Sequence, residues 1–178
     1  MPQLARPLCS IQLLRVCIVL AIMRQHHFEG PAMTSITLRF LASQANALLP
    51  GKIHGGTLLG WMDEAGFASA CAWAHGPCVT AFISSATFDH PVHAGQLIEV
   101  DARLAYTGIT SMALAIEVHA SDLSSQQRRL VTHCVAVYVA IDSNDHPIAV
   151  DTWWPQTPGD VALAQRVKNL ITAAKAAQ

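Results

Sequence analysis

Asn46-Ala47-Leu48-Leu49-Pro50-Gly51-Lys52-Ile53-His54-Gly55-Gly56 runs directly into Thr57-Leu58-Leu59-Gly60-Trp61-Met62-Asp63-Glu64-Ala65, and the pattern changes between the two. From Gly55 onward Leu58, Leu59, Met62, Ala65, Ala68, Ala72 and Trp73 recur at helical spacing, which predicts a helix. His75-Gly76-Pro77 ends it, because glycine and proline stop helices. A helix apolar nearly all round is expected to be buried. It therefore needs a sheet to lie against.

Outside this helix the period is two. Ile36 to Leu41 alternates and reads as a short strand, and 42–50 reads as a loop ended by Pro50-Gly51. Downstream, strands are predicted at Val79–Phe88, Leu97–Tyr106, Thr110–His119 and Leu130–Asp142. In the last, Val131, His133, Val135, Val137, Val139 and Ile141 take one face; Thr132, Cys134, Ala136, Tyr138 and Ala140 take the other. A final helix is predicted at Val161–Ala176, with Leu163, Val167, Leu170, Ile171 and Ala174 on one face. Short turns joining the four later strands imply antiparallel neighbours. The predicted class is α+β: a five-stranded antiparallel sheet curled round a long central helix, plus a C-terminal helix.

A length of 178 residues suits one domain. With 52% hydrophobic and 13% charged residues the chain is not a disordered one. Its formal net charge of -1 supplies no basic field, so nucleic acid is not an expected partner. So few charges would leave a lone chain with much apolar surface, which predicts self-association. The five cysteines are odd in number and form no C-x-x-C pair, so reduced, buried thiols in a cytoplasmic protein are expected. Leu4 to Met23 is apolar but interrupted by Arg6 and Arg15. Its longest uncharged run, Val16–Met23, falls short of the roughly 18 residues that a membrane span needs. The predicted organisation is an N-terminal extension at 1–32, the domain at 33–152 and a helical tail at 153–178.

The chemistry is expected at the helix start. Gly55 and Gly56 allow close approach to the backbone. A helix N-terminus offers unpaired N–H groups and a partial positive charge, which suits a developing oxyanion. Asp63 sits mid-helix in an apolar element, where an unpartnered carboxylate is costly; it reads as a general base or nucleophile facing a cleft, or with Glu64 as a solvated pair. Seven residues separate Gly56 from Asp63, roughly 10 Å along the axis, so one chain's helix cannot bring both to one reacting carbon. Two antiparallel copies about a two-fold axis can, which places the site at a dimer interface. His54 either orients the loop or touches substrate. His90 and His93 read as surface turn residues, Ser84-Ser85 lacks a nucleophile-elbow context, and Trp153-Trp154 reads as a packing anchor. No metal is expected.

The residues resemble the hot-dog-fold acyl-CoA thioesterases of the 4-hydroxybenzoyl-CoA thioesterase-like superfamily, in particular the bacterial acyl-CoA hydrolase branch. The resemblance rests on Asn46, Gly51, His54-Gly55-Gly56 and Met62-Asp63-Glu64-Ala65-Gly66. It continues through Thr87-Phe88-Asp89-His90-Pro91-Val92 with Gly95, through Tyr106-Thr107-Gly108-Ile109-Thr110-Ser111, and into Val135–Asp142. The separation of Asn46 from Gly51 is wider than in the branch with the most similar downstream motifs. The resemblance implies hydrolysis of an acyl-CoA thioester, with coenzyme A as part of the substrate and no separate cofactor. Asp63 would be base or nucleophile, the Gly56 N–H would hold the thioester oxygen, and Asn46 would position water or the carbonyl. His54 and Gly55 would contact substrate; Ile83, Ser84, Thr110 and Ser111 would line the pantetheine channel. The assembly would be a dimer at least, extending to a tetramer or hexamer. A hot-dog dehydratase using His54, or a non-enzymatic acyl-CoA-binding protein, are the alternatives.

Overall fold

The computed structural model describes residues 33–125 and 127–176. The extension expected at 1–32, with Cys9 and Cys17, lies outside the described residues. In chain order come β1 (Ser35–Leu41), a 3-10 turn (Gln44–Asn46), a small hairpin of β2 (Ala47–Leu49) and β3 (Lys52–Ile53), and helix α1 (Gly55–Ala74). Then follow β4 (Cys78–Ile83), β5 (Gln96–Thr107), β6 (Ser111–Asp122), β7 (Arg129–Ala140) and helix α2 (Pro158–Ala176). The main sheet has the order β1-β5-β6-β7-β4, and every pairing in it is antiparallel. This is the α+β architecture that the periodicity predicts.

Two expectations about connections are corrected. Short turns do join β5 to β6 and β6 to β7. β4, however, pairs with β7 and not with β5, so residues 84–95 cross from one side of the sheet to the other. The predicted strand Val79–Phe88 correspondingly ends at Ile83. Past Ile83 the Val135 N–H donates to the Ser84 hydroxyl at 3.0 Å, a side-chain acceptor where a ladder would use a carbonyl. The chain still runs beside β7, with the Asp89 N–H on the Val131 carbonyl at 3.1 Å.

Helix α1 lies on one face of the sheet. Leu58, Met62, Ala65, Cys71 and Trp73 join Val100, Leu104, Leu114, Ile116 and Ala136 in the main core. Phe40 of β1 stacks on Trp61 with centroids 4.7 Å apart and planes 8° from parallel, which fixes the sheet's outer strand to the helix. Burial is one-sided, contrary to the expectation of a helix buried all round. Gly56, Leu59, Gly60 and Glu64 are exposed, because a five-stranded sheet wraps only one side of the rod. The thiols of Cys71, Cys78 and Cys134 are free and buried.

Helix α2 covers the opposite sheet face. Val167 is buried against Ala105, Ala113 and Val135, flanked by Leu163 and Ile171. Leu170, expected on this face, is 44% exposed, because the contact centres on Val167 and continues to Ile171. The start of α2 is a reciprocal cap: the Asp160 N–H donates to the Thr157 hydroxyl at 3.1 Å, and the Thr157 N–H donates to Asp160 Oδ2 at 2.9 Å. Arg103 of β5 pairs with the other carboxylate oxygen and ties the cap to the sheet. Of the two tryptophans read as an anchor, Trp153 is buried and Trp154 is 69% exposed.

Candidate active site

His54 is the N-cap of α1, with extended backbone and no side-chain capping bond. The N–H groups of Thr57 and Leu58 donate to its carbonyl at 3.0 and 3.4 Å. The preceding amides of Gly55 and Gly56 therefore sit at the open, positive end of the helix. A β-carbon on Gly56 would stand 2.8 Å from Cε1 of His54, so the imidazole lies close over the helix start and fits because residue 56 has no side chain. Gly55 faces the ring of Phe88 at 3.6 Å from its would-be β-carbon.

The small β2–β3 hairpin delivers Asn46 to the same place. The His54 N–H donates to the Asn46 carbonyl at 3.2 Å. The Asn46 side-chain oxygen accepts from the Ser43 N–H at 3.1 Å and from the Ser43 hydroxyl at 2.7 Å. With that oxygen engaged, the amide Nδ2 is the end left to donate. The wide Asn46–Gly51 separation is thus accommodated: the intervening residues form a hairpin whose ends return to His54.

Further along α1, Glu64 is exposed and Asp63 is half-buried, so the two neighbours do not form a solvated pair. Asp63 Oδ1 accepts from the Thr80 hydroxyl at 2.8 Å and from the Tyr138 hydroxyl at 3.2 Å. Burial first, and then the charge of Asp63, push the Tyr138 phenol far above its ordinary range, which keeps it a donor. The same two causes push the Cys134 thiol up to about 11. Neither Thr80 nor Tyr138 stands out from sequence motifs. The usable signal for Tyr138 was its place on the strand face that packs inward, since a buried phenol requires a partner.

The remaining expected residues are spread out. Ile83 is exposed at the end of β4, and Ser84 is half-buried with its hydroxyl on the backbone of β7. Thr110 lies in the β5–β6 turn, where its carbonyl accepts from Ala140 at 3.0 Å. Ser111 borders a groove of about 280 Å³ with Ala81, Phe82, Tyr106 and Lys175, on the α2 side of the sheet. One chain therefore gathers Asn46, His54, Gly55 and Gly56 at the helix start and holds Asp63 farther along with Thr80 and Tyr138. It puts Ser111 on the opposite side of the sheet from α1. Among the described residues no cluster of three or more His, Cys, Asp or Glu side chains could hold a metal, and no helix is long and apolar enough to cross a membrane.

Known proteins share this fold. Residues 50–125, from the hairpin turn through α1 and on past β6, match the Thioesterase superfamily. Acyl-CoA thioester hydrolase YciA of Escherichia coli strain K12 is 36% identical over 118 residues, which cover 65% of this chain and 89% of that protein. The hexameric thioesterase y2039 from Yersinia pestis is 36% identical with a TM-score of 0.61, covering 65% of this chain and 93% of its own. An apo-hexameric acyl-CoA thioesterase is 27% identical with a TM-score of 0.77, over 82% and 94% respectively. A central helix opened by His54-Gly55-Gly56, a five-stranded antiparallel sheet around it, and these relatives give one answer: the chain belongs to the hot-dog-fold acyl-CoA thioesterase family.

Proposed function

We propose that this chain hydrolyses acyl-CoA thioesters to free acid and coenzyme A at a site completed by a second copy. The observation that carries the reading is Asp63. It is a half-buried carboxylate in the middle of a helix whose other charged residue, Glu64, is exposed, with one oxygen fixed by two hydroxyls and the other free to act. Acting as base, Oδ2 takes a proton from water while the water oxygen bonds to the thioester carbon. The negative charge passes to the carbonyl oxygen, which the Gly56 N–H at the positive helix end stabilises. Collapse re-forms the carbonyl and breaks the C–S bond, and the proton held by Asp63 goes to the departing thiolate. Acting as nucleophile, the same oxygen would attack the carbon directly and water would release the acid in a second step.

Asn46 donates through Nδ2 to the water or the carbonyl, since its oxygen is held by Ser43. His54 and Gly55 border the reacting group, and Ile83 and Ser84 serve the pantetheine arm; Thr110 in the β5–β6 turn and Ser111 on the α2 side of the sheet are not on the face that carries this site. The roughly 10 Å rise between Gly56 and Asp63 is the reason for pairing Asp63 of one chain with Gly56 of the other. The exposed strip of α1 around Gly56, Leu59 and Gly60 is the face available for that pairing. Self-association, as a dimer and then a tetramer or hexamer, is supported by the hexameric relatives.

Release of free coenzyme A from short-, medium- and long-chain acyl-CoAs, read with a thiol reagent, tests the reading. Turnover is expected for at least one of them, with Asp63→Asn lowering it on the order of 10²-fold or more while coenzyme A still binds. No release from any acyl-CoA, or full turnover in Asp63→Asn, would overturn it.

A further inference from the structure

The phenol of Tyr138 is fully buried, and both of its polar contacts are to a single residue. It lies 3.2 Å from Oδ1 of Asp63 and 3.3 Å from the Asp63 backbone carbonyl. We propose that Tyr138 is a positioning residue for hydrolysis, which locks the rotamer of Asp63 so that Oδ2 is presented to the reacting water. This rests on Asp63 being the reacting carboxylate, as argued above.

A tyrosine on β7 that merely needs its hydroxyl satisfied would be served by any one acceptor. Here the phenol spans the side chain and the main chain of residue 63, so the carboxylate is referred to the helix axis itself. The helix is also shaped to admit it. Gly66 lies three residues after Asp63 on the same face of α1. A β-carbon at Gly66 would stand 2.8 Å from Cζ of Tyr138 and 2.9 Å from Cδ1 of Ile116, and closer still to the phenol oxygen. Glycine is less favourable than alanine in a helix interior. At this position it gives the clearance that the ring occupies beside Asp63. The raised ionisation of the phenol means that it donates throughout the pH range of the reaction.

Positioning and simple packing give different kinetics. If Tyr138 acts through Asp63, its hydroxyl matters only while the carboxylate is present. The test uses the full chain and four variants: Asp63→Asn, Tyr138→Phe, the two combined, and Gly66→Ala. Tyr138→Phe is expected to lower kcat on the order of tenfold, leaving KM within about twofold, because a small misplacement of a reacting group is costly. In the Asp63→Asn background, Tyr138→Phe is expected to cause no further loss. Gly66→Ala keeps the tyrosine but displaces it, and is expected to lower kcat in the same way without raising KM. Full kcat in Tyr138→Phe, or the same further loss in both backgrounds, would overturn the proposal. Full turnover in Asp63→Asn would instead remove the reading on which it rests, so the two failures are told apart.

Discussion

Thr80 and Tyr138 are register partners across β4 and β7, and their hydroxyls converge on the same oxygen of Asp63. One donor comes from an exposed edge position and the other from the core. The carboxylate is therefore gripped between two strands while being carried by a helix. A shift of β4 relative to β7 would move the two donors apart, so strand pairing and site geometry are coupled.

This convergence makes Thr80 separable by its hydroxyl alone. Thr80→Val keeps the β-branched shape that suits a strand but removes the donor. We expect kcat to fall on the order of tenfold, with KM little changed, and Thr80→Ser to restore most of the loss. Steady-state kinetics on one acyl-CoA decides it; equal kcat for the valine and serine variants would refute the donor role.

Sharing of the site between copies predicts complementation. Gly56→Pro removes the N–H at a first-turn position, where a helix tolerates proline, and its ring also displaces the His54 imidazole that a β-carbon at 56 would meet. Asp63→Asn removes the base. Each is expected to be inactive alone. Mixing them with subunit exchange is expected to regenerate one complete site per mixed dimer. Exchange followed by mass spectrometry, with no recovery of turnover, would rule out a shared site.

Asp160 predicts an acid-side dependence of stability. Its carboxyl is held below the ordinary range chiefly by the Thr157 hydroxyl, and further by the Thr157 and Gln156 N–H groups and the Arg103 guanidinium. A folded value below the unfolded value of about 3.9 means that the contribution is fully present above about pH 4 and is lost as pH falls through the folded value. Melting temperatures measured from about pH 6 down to about pH 2 are expected to fall more steeply for the native chain than for Asp160→Ala. Parallel curves would contradict this.

His75 ends α1 in the left-handed region, at φ 52° and ψ 29°, with an exposed side chain. Glycine adopts that conformation without the steric cost that a β-carbon brings. Allowing for the greater freedom of glycine in the unfolded chain, His75→Gly is expected to stabilise by about 0.5–1 kcal/mol. For a chain of this size that corresponds to roughly 1–4 °C in Tm. A lower Tm would show that the imidazole contributes more than its backbone costs.

Local periodicity in the sequence shows the main elements, but neither the 3-10 turn and the β2–β3 hairpin, which begin within the stretch read as a loop at 42–50, nor how the elements connect. The alternation of Leu97–Tyr106 and Thr110–His119 and the helical run after Gly55 each depend on residues close in sequence, and each element is present. The partner of β4 depends on a crossing of twelve residues that no local pattern encodes, so its pairing with β7 was not legible. The site divides in the same way. His54-Gly55-Gly56 and Asp63 lie on one element and are readable from spacing. Thr80 and Tyr138 reach Asp63 from 17 and 75 residues away, and only the folded register joins them. Leu170 was misplaced because a helix with apolar residues at both 170 and 171 fits two adjacent faces, and packing on Ala105, Ala113 and Val135 selects the one with Ile171.

The clearance above Gly66 also governs the order in which changes to this protein can accumulate. Any side chain at 66 meets the Tyr138 ring and Ile116 together, so position 66 is closed while both stand. Position 138 can shrink first, but that step strips Asp63 of its buried donor. A lineage starting from this sequence would have to pass through an impaired enzyme before residue 66 could vary. A glycine with no side chain of its own is thereby held in place by a tyrosine seventy-two positions later in the chain.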